Sequence, residues 1–482
     1  MNRYEYIRRY RRGRRHRRAG HAALIAGCAA LLLLGGTAAF LWGRHRIAGS
    51  DTSPGNVVVM NPTSGSDSTD IVITPEEPET DSAFSDIPAD HPAAGLLKQA
   101  RLLALGYDYE AALALLQSDA NLASDPLVTE AIADYEAAAA ALVPVKISEV
   151  THVFFHSLII DTARAFDGDS DEKGYNQVMT TADEFNRILQ SMYDKGYVLV
   201  KLHDLAYETT DESGKTVMKP GTILLPEGKI PFVMSQDDVC YYPYMDGDGF
   251  ASRIIIGEDG KPTCEMKLED GSVSVGAYDL VPILEAFIEQ HPDFSYKGAR
   301  AVLAFTGYEG ILGYRTSSAY ADSPTYEADR QEAARVAQCL KDNGWELASH
   351  SWGHLNLGNV EMERFTADTD KWETEVDSLI GPTDIILYPF GADVGDWHPY
   401  TMENERFRYL YNVGFRYFCN VDSSRHWVQI GDDYMRQGRR NLDGYRMWKD
   451  ITAEDPSKRR LDDLFRAEDV FDQARPVPVP DM

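Results

Sequence analysis

From residue 147 onward, short apolar runs alternate with longer stretches whose apolar residues recur at helical spacing. His152-Val-Phe-Phe and Tyr197-Val-Leu-Val-Lys read as strands, with a helical pattern over 181–195 between them. Further strands are predicted at 230–235, 301–305, 347–349, 384–388 and 416–420. Helical patterns at 277–290, 326–343, 367–380 and 402–413 fit between them. Such alternation predicts an α/β fold. Glu258-Asp-Gly-Lys-Pro and Glu269-Asp-Gly-Ser have turn chemistry and predict a small inserted hairpin.

The chain before this region changes character several times. Residues 93–143 carry Leu96, Leu97, Ala100, Leu103 and Ala104 at helical spacing, a second apolar run at 111–116 and a third at 127–142. The stretch Ala104-Leu-Gly-Tyr-Asp-Tyr-Glu-Ala-Ala-Leu113 resembles one tetratricopeptide unit, which buries too little to stand alone. Residues 43–92 are rich in Ser, Thr, Pro, Asp and Gly and read as a disordered linker. Ala22 to Trp42 contains no charged residue and is long enough to cross a bilayer as a helix. Nine arginines lie in residues 1–21, a basic tail, and only Arg44 and Arg46 follow the apolar run closely. The positive-inside rule then predicts a single-pass anchor at 22–42, with a cytoplasmic N-terminus and an extracellular remainder. The large α/β unit is expected over 147–455, followed by a C-terminal tail at 456–482.

Charge narrows the partners. The net charge is −29, yet residues 1–46 contribute about +10, so the rest carries about −39. That acidic body argues against nucleic acid, whose phosphates it would repel. Cys240, Cys264, Cys339 and Cys419 follow the anchor; they permit two disulfides in three pairings, but their spacing shows no framework.

The chemistry lies in two motifs. Glu346-Leu-Ala-Ser-His350-Ser-Trp-Gly-His354 places two imidazoles four residues apart, downstream of the acidic pair Asp237-Asp238 that closes an apolar run. Two imidazoles and one carboxylate are a usual protein set for a catalytic zinc, Zn2+. A second carboxylate beside the ligand can then accept a proton from water. Cys240, two residues beyond Asp238, is either a ligand, a nucleophile or a buried small apolar residue.

These motifs, with Leu387-Tyr-Pro389-Phe390-Gly391 after them, resemble the polysaccharide deacetylases of carbohydrate esterase family 4. The resemblance spans about residues 147–450 and implies an irregular (β/α) barrel with its chemistry at the C-terminal strand ends. It implies that Asp238, His350 and His354 hold zinc or another divalent transition metal, and that Asp237 is the general base. Pro389, Phe390, Arg440 and Trp352 are the candidate substrate contacts, alongside Tyr388 and Trp427. The family's C-terminal Leu-x-His is missing, since no histidine follows Trp427. Val153-Phe-Phe-His156-Ser-Leu-Ile159 instead resembles the permuted poly-N-acetylglucosamine deacetylase branch, which implies His156 as the general acid. Leu387 stands where the family usually has an arginine, and Val239 where it has a glycine; Arg439, Arg440 and Asn441 are candidates to replace the lost guanidinium or to contact sugar hydroxyls. The implied activity is metal-dependent hydrolysis of acetyl groups from an N-acetylated cell-envelope glycan, peptidoglycan or poly-N-acetylglucosamine. Its rivals are an O-acetyl polysaccharide esterase and a glycan-binding protein that retains the barrel without catalysis.

Overall fold

Short runs of β-branched and other apolar residues pair in parallel and close on themselves. The computed structural model describes residues 87–482, apart from Ala89 and Glu269. The basic tail at 1–21, the anchor at 22–42 and nearly all of the linker at 43–92 lie outside the described residues. Among the described residues, no helix is long and apolar enough to cross a membrane.

The barrel has seven parallel strands: β1 Thr151–Phe155, β2 Ile230–Gln236, β3 Val302–Phe305, β4 Glu346–Ser349, β5 Ile385–Leu387, β6 Tyr417–Val421 and β7 Met435–Asn441. Neighbours follow in chain order from β2 to β7; β1 then fits between β7 and β2. Closure comes from β2 against β3, with Val302 opposite Ser235 and Leu303 opposite Gln236. A short strand at Tyr197–Leu199 also pairs with the start of β2. The hairpin expected after Asp238 is a three-stranded antiparallel sheet, Arg253–Ile256, Pro262–Lys267 and Val273–Gly276.

Helices cover the barrel where capping and apolar spacing favour them. The helix Ala182–Asp194 starts with Thr181 and Glu184 in a reciprocal capping box and buries Phe185, Ile188, Leu189 and Met192. Ahead of the barrel, α1 Ala94–Leu105, α2 Tyr109–Gln117 and α3 Pro126–Ala140 share a small core of Leu97, Ala100, Leu116 and Val128. That unit docks through Tyr107, whose hydroxyl donates to the Asp293 carbonyl at 2.9 Å and whose ring stacks on Tyr296.

One expectation is corrected here. Residues 456–482 are part of the fold: Leu461, Leu464, Phe465, Val470, Phe471 and Val479 belong to the main core. Arg475 seals the arrangement by pairing with Glu184, both side chains being fully buried. β7 is a barrel strand that sequence analysis does not predict: Met-Arg-Gln-Gly-Arg-Arg-Asn has no apolar run to betray it. Its polar side chains are buried because the barrel gives each of them a partner.

Three of those partners form a chain through the barrel interior. Gln437 donates its amide N–H to the Val150 carbonyl at 3.0 Å, so its oxygen accepts from His152 Nδ1 at 3.0 Å. His152 Nε2 then accepts the Ser235 hydroxyl proton at 2.9 Å, and Ser235 Oγ accepts from Arg439 Nη1 at 3.3 Å. Burial, then the Arg439 charge, push the His152 pKa well below its ordinary 6.5, which keeps the ring neutral as this chain requires.

Acid should therefore weaken the fold through His152. Unfolded chains protonate this ring near its ordinary pKa while the folded protein does not, so stability falls as pH drops below about 6.5. The expected contribution is about 1.4 kcal/mol per pH unit. Urea unfolding between about pH 7 and 5 should show a slope shallower by that amount in His152→Asn than in the native chain.

Candidate active site

The two motifs meet because they end β2 and β4, the strands that flank β3 on its two sides. β2 runs into Asp237-Asp238, and the Asp237 N–H still donates to the Phe155 carbonyl of β1 at 2.9 Å. β4 runs into His350, whose N–H donates to the Phe305 carbonyl of β3 at 2.9 Å. Beyond these points the backbone is forced out of register. Asp238, Ser351, His354 and Phe390 adopt φ of 60°, 60°, 51° and 61°, a region that side-chain-bearing residues seldom occupy. The His-x-x-x-His segment is thus a strained turn and not a helix. One ligating atom each from Asp238, His350 and His354 lies within 4.8 Å of the others.

Hydrogen bonds aim those groups. His350 donates its Nδ1 proton to the Leu387 carbonyl at 2.7 Å, which leaves the Nε2 lone pair for a ligand. Burial pushes the His350 pKa down, so the neutral form is favoured despite the nearby carboxylates. Tyr242 donates its hydroxyl proton to Asp238 Oδ1 at 2.8 Å. His354 Nε2 stands 3.6 Å from the same oxygen. A neutral imidazole with a fixed tautomer, a second imidazole and a braced carboxylate fit a divalent transition metal.

Asp237 is held differently. Arg439 Nη1 donates to its Oδ1 at 2.6 Å, and His350 Nε2 lies 3.7 Å from its Oδ2. Burial works to raise the Asp237 pKa, but the Arg439 guanidinium, by its charge and its hydrogen bond, outweighs it and holds the carboxyl below its ordinary range. The guanidinium that the resemblance places ahead of Pro389 therefore comes from β7, across the barrel. On the other side stands His156, one residue past β1. It is half-buried, and its Nδ1–H donates to the Val178 carbonyl at 3.1 Å, so Nε2 keeps a lone pair or takes a second proton. A charge on His156 would stabilise both Asp237 and Asp443. Arg475 keeps the Val178 backbone in place by donating to the carbonyls of Asn176 and Met179 at 3.1 and 2.7 Å.

The remaining candidates divide. Pro389 is buried, whereas Phe390 is 58% exposed with its ring 4.5 Å from the His354 imidazole, edge to face. Trp352 is half-buried: it donates to Glu375 at 2.9 Å, and Lys371 lies 3.7 Å from its ring centre. Arg440 is not brought to the site. It makes a bidentate pair with Asp463 at 2.8 and 2.7 Å and is buried there, which corrects the expectation of a sugar contact. Cys240 packs as a buried thiol against Thr306, with burial pushing its pKa up to about 12. All four cysteines among the described residues are free.

Two residues near the chemistry carried no sequence signal. Tyr242 reads as one aromatic among several, and its bond to Asp238 exists only because the backbone turns at Tyr241 with φ 49°. Asp443 reads as a helix cap, and it does cap the helix Gly444–Ile451 by accepting from the Arg446 N–H at 2.7 Å. Its nearness to His156 comes from strand pairing, with Asn441 of β7 opposite Phe154 of β1.

Comparison with known proteins agrees with this geometry in part. Residues 319–406, which include both histidines and the Pro-Phe-Gly turn, match the polysaccharide deacetylase family model. No curated protein matches. Among solved structures, the Streptococcus pyogenes deacetylase PplD in complex with acetate is similar at 13% identity and a TM-score of 0.35. That alignment covers 63% of this chain and 94% of PplD.

The ion pair at the centre can be tested by stability alone. Arg439→Met leaves Asp237 buried without its counter-charge and should cost about 3–5 kcal/mol. Asp237→Asn combined with Arg439→Met should be less destabilised than the sum of the single changes, because neither charge is stranded. Urea unfolding of the four metal-free proteins measures that coupling, and strict additivity would contradict the pairing.

Proposed function

We propose that this protein is a metal-dependent hydrolase that removes acetyl groups from an N-acetylated glycan of the cell envelope. One observation carries the proposal. Asp238, His350 and His354 converge on one point, and a second carboxylate, Asp237, sits beside it in a lasting ion pair with Arg439. The polysaccharide deacetylase match over residues 319–406 supports the choice of acetyl groups on a glycan.

Asp238, His350 and His354 would hold a divalent cation, which would supply Lewis acidity at the site when bound. Asp237 takes the proton from the attacking water, and its pairing with Arg439 keeps it ionised until then. Water adds to the acetyl carbon, the carbon–nitrogen bond breaks, and the departing nitrogen takes a proton from His156. Acetate and a free amine result. The Nδ1–H of His156 is committed to the Val178 carbonyl, so Nε2 is the atom that faces the departing nitrogen.

We further propose an anchored, extracellular enzyme. Its support is the uncharged stretch from Ala22 to Trp42, the arginines before it, and the polar 43–92 segment, which would give reach to a site working on a fixed polymer.

Purified ectodomain assayed for bound metal and for acetate release from N-acetylglucosamine oligomers tests the reaction. Chelation should abolish release and zinc should restore it. Asp237→Asn should keep the metal and lose about 10²- to 10⁴-fold in kcat, whereas His350→Ala should lose the metal as well. Metal without acetate release from any acetylated glycan would overturn the reaction. Failure to bind zinc at all would leave a glycan-binding protein.

A further inference from the structure

The stretch from Asp472 to Asp481 adds no barrel strand and holds none of the reacting groups, yet its buried contacts run toward His156. Arg475 is the centre of them. Its side chain and that of Glu184 are both fully buried. Nε and Nη2 of Arg475 donate to the two Glu184 carboxylate oxygens at 2.6 Å each. The same two oxygens accept from the N–H groups of Asp472 and Thr181, at 3.0 and 2.8 Å. Each charge is thus matched and hydrogen-bonded, as two charges withdrawn from water require.

The remaining guanidinium N–H groups take up one turn of backbone. The helix Glu172–Val178 ends there, and the last carbonyls of a helix have no partner within it. His156 Nδ1 takes the Val178 carbonyl at 3.1 Å. Arg475 takes a carbonyl on either side, Asn176 through Nη1 at 3.1 Å and Met179 through Nη2 at 2.7 Å. Nη1 also reaches Asn176 Oδ1 at 3.2 Å, so all five N–H groups of the guanidinium are engaged. The turn grips the segment in return: Asn176 donates its side-chain N–H to the Pro476 carbonyl at 2.7 Å, and Gln177 donates to the Pro480 carbonyl at 3.0 Å. No slack is left on the other side, because a Cβ added to Gly444 would collide with the Asn176 carbonyl oxygen and the Arg475 guanidinium. One side chain therefore fixes the peptide groups on both sides of the carbonyl that His156 is bonded to. A carbonyl can only accept, so its hold on Nδ1 keeps a proton there and leaves Nε2 as the outward atom.

We infer that Arg475 is a positioning residue for proton delivery: it sets the Val178 carbonyl that fixes the orientation and the Nδ1–H tautomer of His156. This rests on the proposed reaction, in which His156 Nε2 gives a proton to the departing nitrogen, and deepens it by making that transfer depend on the segment 472–481. An amine leaves poorly as an anion, so amide cleavage needs the donor in place, whereas a nitrophenolate leaves without a proton. Arg475 bonds to Glu184, Asn176 and Met179 and to no group of the proposed metal set, so its influence falls on the leaving group alone. A lysine at this position keeps the charge opposite Glu184 but has no planar fork to span a carboxylate and two carbonyls.

The experiment compares the zinc-loaded full-length protein with its Arg475→Lys variant on an N-acetylglucosamine oligomer and on para-nitrophenyl acetate. Arg475→Lys should lower kcat for the amide about 10- to 100-fold with KM unchanged, and leave ester hydrolysis and zinc content as they were. In a His156→Ala background the same change should add nothing, because the ring it positions is gone. Asn176→Ala, which loosens the turn without stranding the Glu184 charge, should show the same pattern and covers the case in which Arg475→Lys does not fold. ¹⁵N NMR of ring-labelled histidine, assigned with His156→Ala, reads the tautomer of the neutral ring. It should be Nδ1–H in the native protein and a mixture of both tautomers in Arg475→Lys. Equal losses on amide and ester, losses that add to those of His156→Ala, or an unchanged tautomer would overturn the positioning role and leave the reaction intact. A tautomer that shifts in a protein releasing no acetate from the oligomer would uphold the positioning role and overturn the reaction.

Discussion

The ion pair between Arg439 and Asp237 is the constraint on which the rest of the barrel is organised. Both side chains are essentially withdrawn from water, a position that a carboxylate and a guanidinium tolerate only together. Arg439 reaches Asp237 with Nη1, while its Nε and Nη2 are buried without a hydrogen-bond partner and the guanidinium lies 4.5 Å from the Phe154 ring centre. Its position is set from below by Ser235, His152, Gln437 and finally the Val150 backbone. Each group in that chain has one arrangement that satisfies its neighbour, because Gln437 must donate upstream and accept downstream. An interior of this kind gives up some stability relative to an apolar one. In return it holds a carboxylate ionised at the barrel mouth.

That constraint explains what the sequence disclosed and what it hid. The strands from β1 to β6 are legible because their interior and exterior positions are both largely apolar, as parallel strands covered on two faces must be. Asp237-Asp238 and His350–His354 are legible because two imidazoles and paired carboxylates at strand ends are the residue types that a metal set would need. β7 is the reverse case. Its interior face carries Met435, Gln437 and Arg439, and Arg436 and Arg440 are taken up by Asp393 and Asp463. A strand whose arginines are all consumed by ion pairs looks, from composition, like solvent-facing chain. The residues 456–482 mislead for a related reason: a charged, proline-bearing stretch reads as a tail until Glu184 appears opposite Arg475. Propensity cannot report a partner that lies nearly three hundred residues away.

Strain and rigidity at the mouth follow from the same economy. Strand register delivers each ligand to the rim, but pleated geometry alone would spread the side chains around it. Left-handed turns at Asp238, Ser351, His354 and Phe390 redirect them, and such turns persist only where surrounding bonds over-determine them. Here those bonds are the Asp368 carboxylate on the N–H groups of Trp352 and Gly353, Tyr242 on Asp238, and the Val421 wall behind Gly391. Sequence reading found the candidate ligands and missed their braces, because a brace is defined by where a side chain ends.

The two histidines on either side of Asp237 show how one device can serve two roles. His350 and His156 each give their Nδ1 proton to a backbone carbonyl, Leu387 in one case and Val178 in the other, so both present Nε2 outward. They differ in their surroundings. His350 is fully enclosed, and burial favours the uncharged ring that a metal ligand must be. His156 is half-exposed, between Asp237 and Asp443, and water can still reach it. A ring in that position offers Nε2 to a leaving group that arrives on the open side. The division of labour in the proposed reaction thus needs no difference in residue type. It follows from which barrel strand each histidine ends, and from how much of the fold closes over it.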